Sequence, residues 1–241
     1  MKVVVIIPAA GLGTRMVQAS DAKGKKPVAS KQFFEIGGTP ILIRTLRKFA
    51  ASPEVSIIFV ALRANEIPGF RTRLQADKDL AGKKIELVEG GEHRQQSVAN
   101  AITRISAAAD DIVLVHDAVR PFVTAEIIHD VIEAAGKYGA AIAGMPASDT
   151  IKEVQRTSEG AVITATVPRE RVVMAQTPQG FRYDVLKKAF DEAAADGFLG
   201  TDEASLVERS GHEVAVVMGS PRNIKITTPA DMELAEFFLK R

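Results

Sequence analysis

The regular alternation of short β-branched runs with segments of helical pattern constrains the fold of this chain more than any other feature. Alternation of this kind is typical of a mostly parallel sheet with helices on both faces. Because open sheets of this class bind ligands at the carboxyl ends of their strands, the residues after each strand are the first candidates for a site. The predicted strands, in chain order, are residues 3–7, 55–61, 85–88, 112–116, 140–145 and 213–217.

The composition allows one ordinary α/β domain and excludes several classes of protein. A chain of 241 residues with a formal net charge of +1 is not a basic nucleic-acid-binding protein, so no nucleic-acid partner is expected. The absence of cysteine excludes disulfides and thiolate metal sites. The apolar start is too short for a membrane span and lacks the layout of a signal peptide, so no membrane association and a cytoplasmic location are expected.

Residues 146–171 break the alternation. Two runs rich in Thr and Val, at 150–154 and 161–167, flank a Ser-Glu-Gly turn and predict a β-hairpin that projects as an arm. No repeat or linker divides the chain, so one domain over residues 1–241 is predicted.

Helix-start signals place the predicted helices. Thr39 followed by Pro40 predicts a capped helix over residues 39–50. The other helices are predicted at 94–107, 124–136 and 183–195, and from 201 and from 229.

The loop after the first strand, Pro-Ala-Ala-Gly-Leu-Gly-Thr-Arg-Met over residues 8–16, is rich in small residues. Such residues let the backbone approach a ligand, and successive N–H groups can cradle phosphate oxygens. The third glycine of the dinucleotide motif is replaced by Met16, and no acidic residue ends the second strand. A phosphate-binding loop and a plain tight turn explain this stretch equally well.

Cationic residues cluster directly after the loop. Arg15 and Lys31 bound a segment that holds one acidic residue, Asp21. This concentration of charge in a nearly neutral protein indicates an anion site. The lysines in between, Lys23, Lys25 and Lys26, are better explained as a solvated surface segment.

Two later junctions hold further candidates. Gly91, Arg94 and Ser97 lie where a strand meets a helix, which suits an anion or a base edge but also an ordinary helix start. Asp117 follows a buried strand and is placed either for Mg²⁺ or as a loop cap. His116 before it is interpreted as a structural histidine.

The motifs along the chain resemble one family of enzymes. The string PAAGLGTRM, followed by SKQFFEIGGTPIL, resembles the nucleotidyltransferases that activate sugar phosphates and polyols. Further on, GGEHRQQSV, VHDAVRPFV, TPQGF, TDEAS and NIKITTPAD fit the 2-C-methyl-D-erythritol 4-phosphate cytidylyltransferases of the non-mevalonate isoprenoid pathway. The matches run in order from the glycine loop to the last helix.

The resemblance implies a fold, a reaction and an assembly. The fold is a Rossmann-like nucleotidyltransferase domain with a twisted, mostly parallel sheet and a projecting β-arm. In the reaction, CTP and methylerythritol phosphate give the CDP-linked alcohol and pyrophosphate, with Mg²⁺. The assembly is a homodimer in which each arm reaches over the neighbouring subunit, and the predicted hairpin fits that arm.

The resemblance also implies roles for individual residues. The residues that match its catalytic cations are Arg15, Lys31 and Lys225. The residues that match its CTP site are Ala9, Ala10, Gly11, Gly13, Gly91, Arg94, Ser97 and Ala118. The residues that match its alcohol-phosphate site are Asp117, Arg120, Thr150, Arg169 and Thr177.

Some of these assignments carry an alternative. An insertion displaces the family's Lys-Gln pair, which makes Lys26 a rival to Lys31. Asp117 also matches a metal-associated aspartate, while the resemblance implies that Thr150 and Arg169 on the arm would act on the neighbour's site. Residues 201–203, Thr-Asp-Glu, are interpreted as a helix cap with a structural role.

Three other functions remain open from the sequence. A cytidylyltransferase for ribitol 5-phosphate would share the CTP residues and differ on the substrate side. An NAD-dependent oxidoreductase is opposed by the incomplete dinucleotide motif. A non-catalytic nucleotide-binding protein is opposed by the intact set of cations.

Overall fold

The computed structural model describes residues 1–11 and 30–240. The strands are β1 Val3–Pro8, β2 Glu35–Ile36, β3 Thr39–Pro40, β4 Val55–Leu62, β5 Ile85–Glu89, β6 Ile112–Val115, β7 Ala140–Pro146, β8 Ile151–Thr157, β9 Gly160–Val167, β10 Val173–Arg182 and β11 Ala215–Met218. The α-helices are α1 Ile41–Ala50, α2 Ile67–Ala76, α3 Arg94–Ile102, α4 Ala125–Tyr138, α5 Tyr183–Ala195, α6 Glu203–Arg209 and α7 Pro229–Leu239.

Within these residues, seven strands form one sheet in the order β11-β7-β10-β6-β1-β4-β5. The pairs of β1 with β4 and β6, β4 with β5, and β7 with β11 are parallel. Only β10 runs antiparallel to its neighbours, β6 and β7. The prediction of a mostly parallel α/β sheet is therefore confirmed, although the alternation did not predict β10.

The centre of the sheet is buried on both faces because β1 and β6 are apolar at every position. In β1, Val3, Val5 and Ile7 pack with α1, α2 and α4, whereas Val4 and Ile6 pack with α3, α5 and α6. Successive side chains of a strand point to opposite faces, so the run fills two cores at once. Each fully buried Val or Ile contributes about 1.5–3 kcal/mol, and this fixes the end of β1 where the site begins.

The start of α1 differs from the prediction. Thr39 does not cap the helix, because Thr39 and Pro40 form β3 and pair with β2. The turn between these strands contains Gly37 and Gly38, both with positive φ, which suits a tight hairpin. The helix begins at Ile41, and no side-chain hydrogen bond caps it.

Two other predicted helix starts are confirmed. The Thr124 side chain accepts a hydrogen bond from the Ile127 amide and caps α4. Thr228 and Asp231 form a capping box at the start of α7, where Pro229 occupies the first turn. These caps satisfy amide groups that have no partner inside the helix.

The predicted arm is present as the antiparallel pair β8 and β9. Its side chains are largely exposed, including those of Val154, Val162 and Ile163. No helix in the described part of the chain is both long and apolar enough to cross a membrane.

Candidate active site

A cavity of about 170 Å³ opens at the carboxyl ends of β1 and β6. The chain leaves β1 towards β4 on one side of the sheet and later returns to β6 on the other side. Ligands of open α/β sheets bind at such a switch point. The lining includes Ala9, Ala10, Gly11, Lys31, Gln32, Gly91, Glu92, Arg94, Ser97, Asp117, Ala118 and Lys225.

Backbone contacts hold the small residues after β1 in place. The Ala9 amide donates to the Ala61 carbonyl at 2.7 Å, and Arg63 Nε donates to the Ala10 carbonyl at 3.0 Å. The buried Gln32 side chain donates to the Ala9 carbonyl. The segment therefore stands as a fixed wall of the cavity. The other two predicted residues of this loop, Gly13 and Arg15, lie outside the described residues.

Gly90 and Gly91 form the opposite wall, next to the start of α3. A Cβ atom on Gly90 would collide with the Cβ atom of Ala10, so glycine permits the two loops to approach each other. Ser97 Oγ accepts from the Gly91 amide and donates to the His93 carbonyl, both at 3.1 Å. Ser97 thus fixes the loop, and the first amides of α3 remain beside the cavity.

Asp117 connects the cations of the site. Its Oδ1 accepts from Arg94 Nε at 3.3 Å, and its Oδ2 accepts from Arg120 Nε at 3.1 Å and from Lys225 Nζ at 3.0 Å. These residues come from three separate parts of the chain, and the predicted Asp117, Arg94 and Lys225 are brought together at one wall.

Electrostatics keep this cluster ionised. Burial would raise the pKa of Asp117, but Arg94, Lys225 and Arg120 hold it well below its usual range. Burial likewise opposes the charge of Arg94, yet Glu203 and Asp117 raise the pKa of its guanidinium. Burial raises the pKa of Glu203, and the contact with Arg94 opposes that rise. Three cations face at most two charged carboxylates, so the cluster carries a net positive charge at neutral pH. That excess suits a polyanionic ligand.

His116 and Thr177 fix the backbone of Asp117. The Asp117 amide donates to Thr177 Oγ1 at 3.1 Å, while Thr177 Oγ1 lies 3.1 Å from His116 Nδ1. His116 Nε2 faces the Arg120 carbonyl at 3.0 Å, and a carbonyl only accepts. Nε2 therefore carries the proton, Nδ1 accepts, and the Thr177 hydroxyl donates to it.

His116 is expected to stay neutral at pH values well below the ordinary pKa of a histidine. Burial lowers the pKa of His116 to about 4. Because this folded-state pKa lies below the unfolded value of about 6.5, the group removes stability as the pH falls from about 6.5 towards about 4. A long-range ¹⁵N–¹H spectrum between pH 7 and 5 should show one imidazole fixed with Nε2–H. Protonation of the His116 imidazole above pH 6 would contradict this arrangement.

The remaining predicted residues differ in where they lie. Arg120 is mostly buried, and its Nη1 donates to the Asn223 carbonyl at 2.7 Å, so it supports the site from behind. Thr150 is exposed at the base of the arm, and Arg169 Nη1 donates to the Ser148 carbonyl at 3.0 Å. Both lie outside the lining of the cavity formed by the described residues of their own chain.

Glu203 belongs to the site, and the sequence interpretation missed this contact. Its two carboxylate oxygens accept from Arg94 Nη1 at 2.6 and 2.7 Å. The cap role falls to Asp202, whose side chain accepts from the Ser205 amide in a capping box. Asn223, also not predicted, is buried and donates to the Thr177 carbonyl at 2.8 Å.

A larger cavity of about 630 Å³ lies between α3 and α5. Its lining is mainly apolar and includes Ile102, Phe190 and Phe198, and its charged residues Lys187 and Asp191 pair with each other. The smaller cavity is the better candidate for chemistry because Lys31, Arg94, Asp117 and Lys225 converge on it.

The donors of the site suit a magnesium ion carried by a phosphorylated ligand. In residues 1–11 and 30–240, no three His, Asp or Glu side chains are placed to hold a metal ion by themselves. Mg²⁺ in proteins is often bound by one or two carboxylates together with substrate phosphates. Asp117 on the wall and Glu92 at the rim offer such carboxylates.

Comparisons with known proteins identify the family of this chain. The family model of 2-C-methyl-D-erythritol 4-phosphate cytidylyltransferase matches residues 3–241. The enzyme of that name from Acidobacterium capsulatum is 56% identical over 241 residues, which cover 100% of this chain and 98% of the relative.

Solved structures show the same relationship. The crystal structure of the enzyme from Thermus thermophilus is 33% identical, with a TM-score of 0.76 and 100% of both chains covered. The 4-diphosphocytidyl-2C-methyl-D-erythritol synthase from Anaerococcus prevotii is 27% identical, with a TM-score of 0.82, and 100% of this chain and 96% of that chain are covered. By its sequence, its fold and the family model that spans nearly all of it, this chain belongs to the 2-C-methyl-D-erythritol 4-phosphate cytidylyltransferase family.

Proposed function

We propose that this chain transfers the cytidylyl group of CTP to 2-C-methyl-D-erythritol 4-phosphate and releases pyrophosphate. The observation that carries the proposal is the cationic wall formed by Lys31, Arg94 and Lys225 around Asp117, in a member of this family. Such a wall suits a reaction between two phosphorylated substrates, whose negative charges repel each other in water.

The reaction needs positioning and charge stabilisation more than proton transfer. A phosphate oxygen of the alcohol substrate attacks the α-phosphorus of CTP, a new P–O bond forms, and the bond to the β-phosphate oxygen breaks. A phosphate monoester has its second pKa near ~6 and is largely a dianion at neutral pH, so no general base is required. The buried, neutral His116 fits a structural role in such a site.

Residues in different parts of the cavity are assigned different roles in the reaction. Ala10, Gly11 and the start of α3 line the cavity, where their amides would donate to phosphate oxygens or to the base. Lys31 and Lys225 line the same cavity and would stabilise the charge that develops on the phosphoryl oxygens. Arg15 is proposed to share this role on the strength of the resemblance alone.

Magnesium is proposed as the ion that accompanies the triphosphate. When bound, it neutralises charge on the phosphate oxygens. Asp117 is the proposed protein ligand, and Arg94, Arg120 and Lys225 hold its carboxylate in position.

A homodimer in the cytoplasm is the proposed working form. The arm is an isolated two-stranded ribbon, and Val154, Val162 and Ile163 on it are exposed. Because such a ribbon is marginally stable by itself and exposed apolar side chains mark interfaces, these residues support the dimer. Exposed Met174, Val216 and Met218 add further apolar surface on β10 and β11. Thr150 and Arg169 would then reach the cavity of the partner.

Arg169→Ala is expected to impair use of the alcohol phosphate and to leave CTP affinity unchanged. Loss of a charge-assisted contact to phosphate costs about 1.5–3 kcal/mol, or roughly 10- to 100-fold in kcat/KM for that substrate. Arg156→Ala, also on the arm and exposed, is the matched control. Mixed dimers of Arg169→Ala and Lys31→Ala subunits should recover activity, because one composite site is intact. Verified mixed dimers without recovery would contradict action across the dimer.

The reaction itself is tested by following the nucleotide. Incubation of the protein with CTP, methylerythritol phosphate and Mg²⁺ should convert the ³¹P signals of the triphosphate into those of a diphosphodiester and pyrophosphate. CTP that binds the protein but stays intact in this mixture would contradict the proposed activity.

A further inference from the structure

One buried carboxylate beside the cavity has no part in the chemistry described above. Glu203 is the first residue of α6 and is 1% exposed. Both of its oxygens accept from Nη1 of Arg94. A buried ion pair contributes little net stability, because the desolvation of the two charges offsets their attraction. Stability alone is therefore a poor explanation for the pair.

The contacts of Arg94 fix the orientation of its guanidinium. Nε donates to Asp117, and Nη1 is held by Glu203. A guanidinium carries five N–H donors in one rigid plane, so these contacts also set the direction of the two hydrogens on Nη2. Arg94 lines the 170 Å³ cavity beside Gly91 and Ser97. Glu203 thereby determines how the plane stands at the cavity wall.

Glu203 also protects the contacts of Asp117. Without a carboxylate at position 203, the nearest anion for Nη1 of Arg94 is Asp117, which Nε of the same guanidinium already contacts. A guanidinium that turned both donors onto Asp117 would compete with Lys225, which lies 3.0 Å from Oδ2. The pair with Glu203 keeps Arg94 from displacing that lysine.

Hydrogen bonds hold the start of α6 in place, and this fixes the backbone position of Glu203. The buried Gln179 of β10 donates from Nε2 to Asp202 at 2.7 Å and accepts at Oε1 from the Ala204 amide at 3.1 Å. These bonds clamp the residues on either side of Glu203. A carboxylate on a clamped helix start is well suited to position another side chain.

We propose that Glu203 is a positioning residue for the nucleotide site, which acts by holding the Arg94 guanidinium against Asp117 and towards the cavity. The inference rests on the proposed function only in taking the ligand to be CTP. Glu203 itself lies behind Arg94 and contacts the ligand through it.

Glu203→Gln tests the proposal, with Glu208→Gln, the same substitution at an exposed glutamate of α6, as the matched control. The amide of Gln keeps the shape of Glu but presents N–H donors to Arg94, so the orientation of the guanidinium is lost. Calorimetric titration with CTP and Mg²⁺, without the second substrate, should show CTP affinity lowered roughly tenfold or more in Glu203→Gln. Glu208 does not contact Arg94, so the CTP affinity of Glu208→Gln should match that of the wild type.

Introducing Glu203→Gln into a protein that already carries Arg94→Gln separates an effect on positioning from an effect on folding. If Glu203 acts through Arg94, the double variant should bind CTP as Arg94→Gln alone does. This pair of variants also serves if Glu203→Gln does not fold, because the double variant leaves no unpaired buried charge.

Three results would overturn the proposal: unchanged CTP affinity in Glu203→Gln, an equal loss in Glu208→Gln, or a further loss in the double variant. Failure of the proposed function is distinct, because it would show as intact CTP in the wild-type reaction, whatever the binding results.

Discussion

Replacement of Lys31 by alanine is expected to lower the turnover of cytidylyl transfer by ~10²–10³-fold, because one preorganised charge contact to the transition state is removed. CTP affinity should fall much less, since the charge on the phosphoryl oxygens that Lys31 stabilises grows only during the reaction. Lys31 lines the cavity together with Lys225 and Arg94, so the nucleotide retains other cationic contacts.

Steady-state kinetics and a CTP titration on the same preparations measure the two effects separately. Lys84→Ala, at an exposed lysine far along the chain, is the control for loss of a charge. Lys26→Ala tests the rival assignment of the catalytic lysine. Near-normal turnover of Lys31→Ala, or a large loss in Lys26→Ala alone, would contradict the placement of the catalytic lysine at Lys31.

Asp117→Asn is expected to destabilise the fold by about 3–5 kcal/mol at neutral pH, because it removes the buried carboxylate that three cations share. Asn has nearly the shape of Asp but cannot neutralise Arg94, Arg120 and Lys225, which all contact the carboxylate. Turnover should fall as well, since Lys225 loses the contact that holds it at the cavity wall.

The destabilisation caused by Asp117→Asn should become smaller as the pH falls. The folded-state pKa of Asp117 is depressed, so its stabilisation is complete above the ordinary pKa of about 4 and declines as the pH falls below it. Urea unfolding should show a smaller difference in the free energy of unfolding between the wild type and the variant at pH 3 than at pH 7. Asp110→Asn, at an exposed site, should show little difference at either pH. If Asp117→Asn were as stable as the wild type at pH 7, that result would contradict a buried, ionised Asp117.

The local elements of the fold were predictable because their signals are local. Apolar β-branched runs gave β1, β4 and β6 within a residue or two, and the Thr-Val runs gave the arm strands. β10 was not predicted, because its sequence contains Pro178, small residues and buried Gln179, which are unusual in a central strand. An irregularity in its pairing between Ala175 and Gln179 accommodates that stretch.

The candidate site was predictable where residues follow strands and unpredictable where contacts are remote. Asp117, Gly91 and the small residues after β1 lie at the cavity, as the parallel-sheet argument predicts. Arg94 and Glu203 are 109 residues apart, and neither is preceded by a local pattern that indicates the other. Thr177 was predicted to touch substrate, yet its hydroxyl is engaged by His116 and Asp117, which only the folded arrangement reveals.

Pyrophosphate release from CTP and Mg²⁺, measured in parallel with methylerythritol phosphate and with ribitol 5-phosphate, tests the central claim most directly. The proposed function predicts release with methylerythritol phosphate and little with ribitol 5-phosphate at the same concentration. Release with ribitol 5-phosphate alone would contradict the substrate assignment, and release with neither, in protein that binds CTP, would contradict the activity.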